Sequence, residues 1–232
     1  FALFFLTIGI GLGAWWAYRE LGWGGYWSFD PVENISLMPW LCGIALYHSL
    51  LYSSHHLIFL KSSILLGMMT FLITIYGFFV VRSGVVTSVH SFAYAPKIGS
   101  YILLICLAIT VLAVTIYFIF YSRLKKLSFP ASITIPRKQF ILVNASNIFW
   151  LITMLTILIS ILYQIYFTVF EGKDIAIDVE YFYKIFIPNI IPLALLAASA
   201  TSYDNYISKI NIIMFILSLA VTMAIIINKE VN

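Results

Sequence analysis

The chain reads as an all-α protein, a polytopic bundle of transmembrane helices. Apolar residues make up 62% of it and charged ones only 9%, with a mean hydropathy of +1.02, far from the balance of a water-soluble domain. The apolar residues also fall into long unbroken runs, and a spanning helix needs about 20 of them. A membrane barrel would show short alternating strands instead.

About seven runs are long enough to cross, at roughly 2–18, 38–54, 63–82, 100–121, 147–169, 184–201 and 210–228. The sixth contains Pro188 and Pro192, which remove backbone donors and predict a kink. The first run has no basic stretch before it and no small-residue cleavage site, so it does not read as a signal peptide. The opening at Phe1, without Met, is the pattern of a processed chain or of a piece of a longer protein. Cys42 and Cys106 fall inside apolar runs, where neither a disulfide framework nor a CxxC redox pair is expected and packing is. No Walker or Rossmann glycine pattern is present, which argues against ATP or NAD chemistry.

Orientation follows from the basic residues. Lys61, Arg123, Lys125, Lys126, Arg137, Lys138 and Lys209 lie after even-numbered spans, against the single acid Asp204. Those loops are expected on the matrix or cytoplasmic side. The opposite loops hold Glu20, Asp30, Glu33, Glu171, Asp174, Asp178, Glu180 and Glu230, with fewer basic residues. The net charge of +4 is therefore a strongly basic inner face plus a mildly acidic outer one. Orientation explains that inner face without nucleic acid.

Between the first two runs lies Trp23-Gly24-Gly25-Tyr26-Trp27-Ser28-Phe29-Asp30-Pro31-Val32-Glu33-Asn34. Interfacial Trp and Tyr commonly just anchor helix ends. Here paired glycines also allow close approach to the backbone, and the rings offer apolar faces with polar edges, a combination suited to a flat ligand. Asp30, Pro31 and Glu33 have the spacing of a capped helix start. They predict a short interfacial helix over 31–37, after which Pro39 restarts the chain into the second span. Capping by itself accounts for Asp30.

Four histidines are present. His55 and His56 lie beside Lys61 in an inner loop and read as headgroup-level residues. His48 falls within the second run, where an ionisable side chain is costly and by default functional, although a neutral imidazole bonded to a neighbouring helix would also account for it. His90 follows the third run in an outer loop, among small and hydroxyl-bearing neighbours that leave a ring accessible.

The aromatic segment, with Met38-Pro39-Trp40, closely resembles the tryptophan-rich WWD signature of the haem-handling proteins of cytochrome c maturation, in the form typical of the CcmF family. Phe71 through Ala93, including Val81 to His90, is similar to the segment of that family that supplies an outer-face axial histidine. Met38-Pro39-Trp40 followed by His48-Ser49-Leu50 is similar to the segment whose histidine ligates a resident haem b. The likeness is specific from about Gly11 to Pro96 and weaker beyond. The chain departs from the pattern at Tyr26 and Ser28, where bulkier Trp and Phe are usual.

The resemblance implies that Trp23, Gly24, Gly25, Tyr26, Trp27, Phe29 and Asp30 form a haem platform. It further implies that His90 ligates the iron of the haem awaiting attachment and His48 the iron of haem b. Arg82 and Arg19 are candidates for the haem propionates, since a guanidinium grips a carboxylate in two-pronged fashion; interfacial anchoring, common for arginines at span ends, is the stronger explanation. Residues 1–121 would be the haem-handling core, with the WWD loop over 19–40 and the outer histidine loop over 83–99, and 122–232 the C-terminal helices. The implied function is part of a membrane haem lyase that attaches haem to apocytochrome c, with haem b reducing the outer haem because thioether formation needs ferrous iron. No catalytic residue is singled out.

The family pairs each of these histidines with another, and none precedes His48 or follows His90. The expectation is a fragment of a divided protein of the mitochondrial inner membrane, with a bacterial plasma membrane as the alternative. Partner polypeptides would carry the missing histidines, beside other maturation proteins. Two other classes stay open: a haem handler or transporter without ligase activity, and a non-catalytic membrane subunit of a respiratory assembly.

Overall fold

The computed structural model describes residues 1–21, 26–53, 57–90, 95–124 and 137–200. They form six helices: α1 (Ala2–Leu21), α2 (Pro31–Tyr52), α3 (Leu57–Ser83), α4 (Pro96–Leu124), α5 (Arg137–Tyr166) and α6 (Val179–Ala200). A π-helical turn, Phe167–Glu171, extends α5 and ends at Gly172, whose φ of 62° lies in the left-handed region. Five of these stretches are long and apolar enough to cross a membrane. The protein is thus a multi-pass membrane helix bundle, as expected. The count of seven spans is not borne out among the described residues: α6 is not one of the five, and the run at 210–228 lies outside them.

The sequence misjudges the start of the second span. A separate helix at 31–37 and a restart at Pro39 were the expectation, yet α2 runs unbroken through Pro39. The cap explains the start. Asp30 Oδ2 accepts from Val32 N at 3.1 Å, and Glu33 Oε2 accepts from Asp30 N at 3.1 Å, so the predicted capping box is formed. With the first turn so fixed, a single missing proline N–H does not end a helix whose flanks are packed. α3 and α4 outrun their apolar cores at both ends, and α5 starts well before its own, because polar termini such as Lys61 and Arg137 remain helical.

α2 is central, packed between α3 and α5, with α4 against the far side of α3 and α6 against α5. Ile35, Met38 and Leu41 of α2 share one buried cluster with Val80, Val86, Met154, Ile157 and Ile161. Lipid is as apolar as these side chains, so close packing and interhelical polar bonds hold such helices together. Gly77 lets α3 press on α2: a Cβ there would stand 2.6 Å from Ile35 Cγ2. Gly99 does the same for α4 against the end of α3, where a Cβ would stand 2.6 Å from Ser83 Cα. Polar bonds supplement the packing: Asn147 Nδ2 donates to Ser49 Oγ at 2.9 Å, Tyr76 and Thr110 hydroxyls meet at 3.1 Å, and Trp40 Nε1 donates to Thr7 Oγ1 at 2.8 Å. Cys42 and Cys106 are buried free thiols on α2 and α4, in packing roles. By connectivity, the starts of α2, α4 and α6 share one end of the bundle with the ends of α1, α3 and α5.

Candidate functional site

That end gathers the sequence's candidates. Gly84, with φ of 66°, turns the chain out of α3 into the loop carrying His90. The loop folds over the capped start of α2. Asp30 Oδ2 accepts from Ser88 Oγ, Asp30 Oδ1 accepts from Val89 N at 3.3 Å, and His90 Nδ1 lies 3.1 Å from Asp30 Oδ2. His90 N donates to Ser88 Oγ at 3.0 Å. On its other side the imidazole approaches Glu33, with Nε2 at 4.0 Å from Oε1. His90 and Asp30 side chains are 16% and 10% exposed, so this polar knot is largely shielded from solvent. Asp30 therefore does more than cap: it ties α2 to the histidine loop.

Beside His90 runs a mainly apolar cleft of about 260 Å³ between α1 and α2, lined by Gly9, Gly13, Trp16, Trp27, Val32 and Ser36 among others. On the α1 side Gly9 and Gly13 leave room, with nothing within 4 Å of the place a Cβ would take. Trp27 Nε1 is buried without a hydrogen-bond partner, a donor waiting for an acceptor. The cleft thus offers an apolar lining, an imidazole at the rim and an indole N–H with no acceptor. A second cleft, of about 410 Å³, lies on the other side of Trp27, against Phe29, Trp40 and Phe186.

The remaining platform residues are distributed unevenly. Phe29 is 9% exposed and holds a φ of 55°, rare for a residue with a Cβ. Its ring lies on Phe182, with Tyr183 and Phe186 edge-on, so most of it is covered by α6. Tyr26 is exposed and stacked on Tyr18, centroids 4.4 Å apart. Trp23, Gly24 and Gly25 lie outside the described residues, as do His55 and His56. Arg82 lines a further cleft, of about 420 Å³, with Leu6, Val32, Ser36, Thr74 and Phe78.

His48 sits apart from this group. Eighteen residues beyond Asp30 on the same helix, it is roughly 27 Å away by helical rise. It is half-buried, and its Nδ1 is buried without a hydrogen-bond partner. Next to it, Ser49 receives Asn147 Nδ2 and is approached by Ser62 Oγ at 3.4 Å. One imidazole nitrogen is thus unspent, while the Asn147 side chain of α5 interacts with the ring. Sequence reading passed over Glu33 as a neighbour of His90, and Asn147 and Gln164 as buried amides on α5. The last two carried a usable signal, being polar residues within an apolar run.

Comparison with known proteins identifies the family. The family described as cytochrome C assembly protein matches residues 1–90. The cytochrome c-type biogenesis protein ccl1 of Rhodobacter capsulatus is 39% identical over 195 residues, 84% of this chain and 29% of that protein. CcmF of Pseudomonas fluorescens is 38% identical over 184 residues, 79% of this chain and 27% of its own length. CycK of Bradyrhizobium diazoefficiens reaches 56% over 109 residues, 47% of this chain and 16% of that protein. Among solved structures, a cytochrome c haem lyase CcmF superposes with a TM-score of 0.59 at 22% identity, over 86% of this chain and 28% of that one, a likeness of fold. On these matches the chain belongs to the CcmF family of cytochrome c assembly proteins, and it spans less than a third of the length of the curated relatives it matches.

Proposed function

We propose that this chain is the haem-handling part of a membrane haem lyase in cytochrome c maturation, holding haem at the outer face of the mitochondrial inner membrane for attachment to apocytochrome c. The observation that carries the reading is the His90 imidazole held at the rim of the Trp27-lined cleft, beside α1's glycine wall.

In this reading the substrate haem lies against Trp27 and α1 with its iron on His90, and Trp27 Nε1 donates to a propionate. Arg82, and Trp23 to Tyr26 of the aromatic segment, complete the platform. His48 offers one imidazole to a resident haem b, which when bound supplies the electron that keeps the substrate iron ferrous. Ser49 and Asn147 order α2 and α5 around His48. No histidine precedes His48 or follows His90 in these 232 residues, so in this reading the second ligand of each iron comes from outside them. The orientation that puts His90 in the intermembrane space is the one the basic loops dictate.

The test is a pair of variants purified in the full assembly, read by pyridine-haemochrome spectra. His90→Gly should lose the outer haem and keep haem b, and His48→Gly should do the reverse. Added imidazole should partly restore the low-spin spectrum of each. Equal haem in both variants and the parent would sink the reading.

A further inference from the structure

The carboxylate of Asp30 is the most heavily used polar group among the described residues, and helix capping needs only one of its contacts. Oδ2 takes Val32 N for the cap, but it also takes Ser88 Oγ and faces His90 Nδ1 at 3.1 Å, while Oδ1 takes Val89 N. The backbone of the histidine loop is thus wrapped around this one side chain, and the imidazole is aimed by it. An ionised carboxylate is an acceptor only. A neutral imidazole that presents Nδ1 to it carries its hydrogen there and its lone pair on Nε2. Glu33 does not compete, because its Oε2 is engaged by Ser28 N at 2.9 Å and Asp30 N, and its Oε1 stands 4.0 Å from Nε2, beyond hydrogen-bond range.

We propose that Asp30 is the positioning residue for the outer haem ligand: it holds His90 in the Nδ1-protonated tautomer and so makes Nε2 the nitrogen offered to the iron. This rests on the outer-haem reading given above. A carboxylate behind a ligating imidazole fixes the ring's orientation and raises the ligand's basicity. A more basic ligand favours the oxidised iron.

Asparagine caps a helix about as well as aspartate, so Asp30→Asn separates the two roles of this residue. The assembly is isolated through this chain with its histidines labelled with nitrogen-15, and a His90→Gln sample assigns the His90 signals. Before haem loading, His90 should show a protonated Nδ1 and an unprotonated Nε2. In Asp30→Asn the two signals should converge toward a tautomer mixture, with α2 intact by amide exchange and haem b retained. After loading, the midpoint potential of the outer haem should shift upward in Asp30→Asn and return part of the way in Asp30→Glu. A parent protein with Nε2 protonated, singly or together with Nδ1, overturns the proposal. So does an Asp30→Asn variant unchanged in both tautomer and potential. A parent that shows the tautomer but never takes up outer haem would instead refute the haem reading, leaving the positioning by Asp30 established.

Discussion

Phe29 lies flat on Phe182, ring centroids 4.6 Å apart and planes within 3°. The contact joins the aromatic segment after α1 to the first turn of α6, a separation of more than 150 residues in sequence. It also explains why Phe29 keeps a left-handed backbone: Asn34 Nδ2 donates to Phe29 O at 2.7 Å, and the ring is boxed by Phe182, Tyr183 and Phe186. Removing the lid should therefore release the strain. Phe182 is fully buried, and Phe182→Ala should cost about 3 kcal/mol. Reversible unfolding in mixed micelles measures this; an unchanged midpoint would show that α6 does not brace the segment.

Gly13→Leu should leave the fold intact, since nothing lies within 4 Å of the Cβ position, and yet obstruct the cleft beside His90. Outer haem content should fall at least several-fold, with haem b unchanged. Normal uptake of outer haem would move the haem off the α1 wall.

Gly99→Val is the opposite case. Its Cβ meets the Ser83 backbone rather than a yielding side chain, so α4 must shift away from α3 at a cost of roughly 1–3 kcal/mol. Thermal aggregation of the solubilised assembly should start at a lower temperature than for Gly13→Leu.

Asn147→Leu removes the donor to Ser49 on α2. Interhelical hydrogen bonds in membranes average about 0.6 kcal/mol, so the fold should survive with little loss. A larger effect should appear in haem b, as a broadened or shifted Soret band, because His48 adjoins that bond. A loss of fold without a change in the haem spectrum would contradict the placement of haem b beside α5.

For topology, a cysteine at Val89, which is exposed, and one at Ser132 should react with impermeant thiol reagents from opposite sides. The native thiols are buried and should stay silent. Labelling of both from one side would invert the orientation on which the outer site depends.

Much of this was readable from residues alone, for identifiable reasons. Long apolar runs announce spans, and Asp30, Pro31 and Glu33 announce a helix start because capping is local chemistry. His48 was legible because an imidazole inside a span is expensive. What escaped was non-local or cooperative. Pro39 was read by its missing donor, whereas packing on both flanks carries α2 through it. Asp30 was explained by its cap, and nothing in the spacing shows that Ser88, Val89 and His90 return to the same carboxylate. The covering of Phe29 by α6 depends on a turn at Gly172 that brings Phe182 back across the bundle.

The continuity of α2 gives the protein a ruler. Its zero mark is the Asp30 cap, its scale is the fixed helical rise, and His48 is a graduation roughly 27 Å along. Because the same cap anchors the loop of His90, the vertical separation of the two imidazoles is set by α2 and by the bonds that tie this loop to Asp30. If the two imidazoles hold haems as proposed, the distance an electron must cover between them is governed by residue count along α2. Inserting one residue between Met38 and His48 would lengthen the path only slightly but swing the imidazole about 100° around the rod, turning it away from α5 and Asn147.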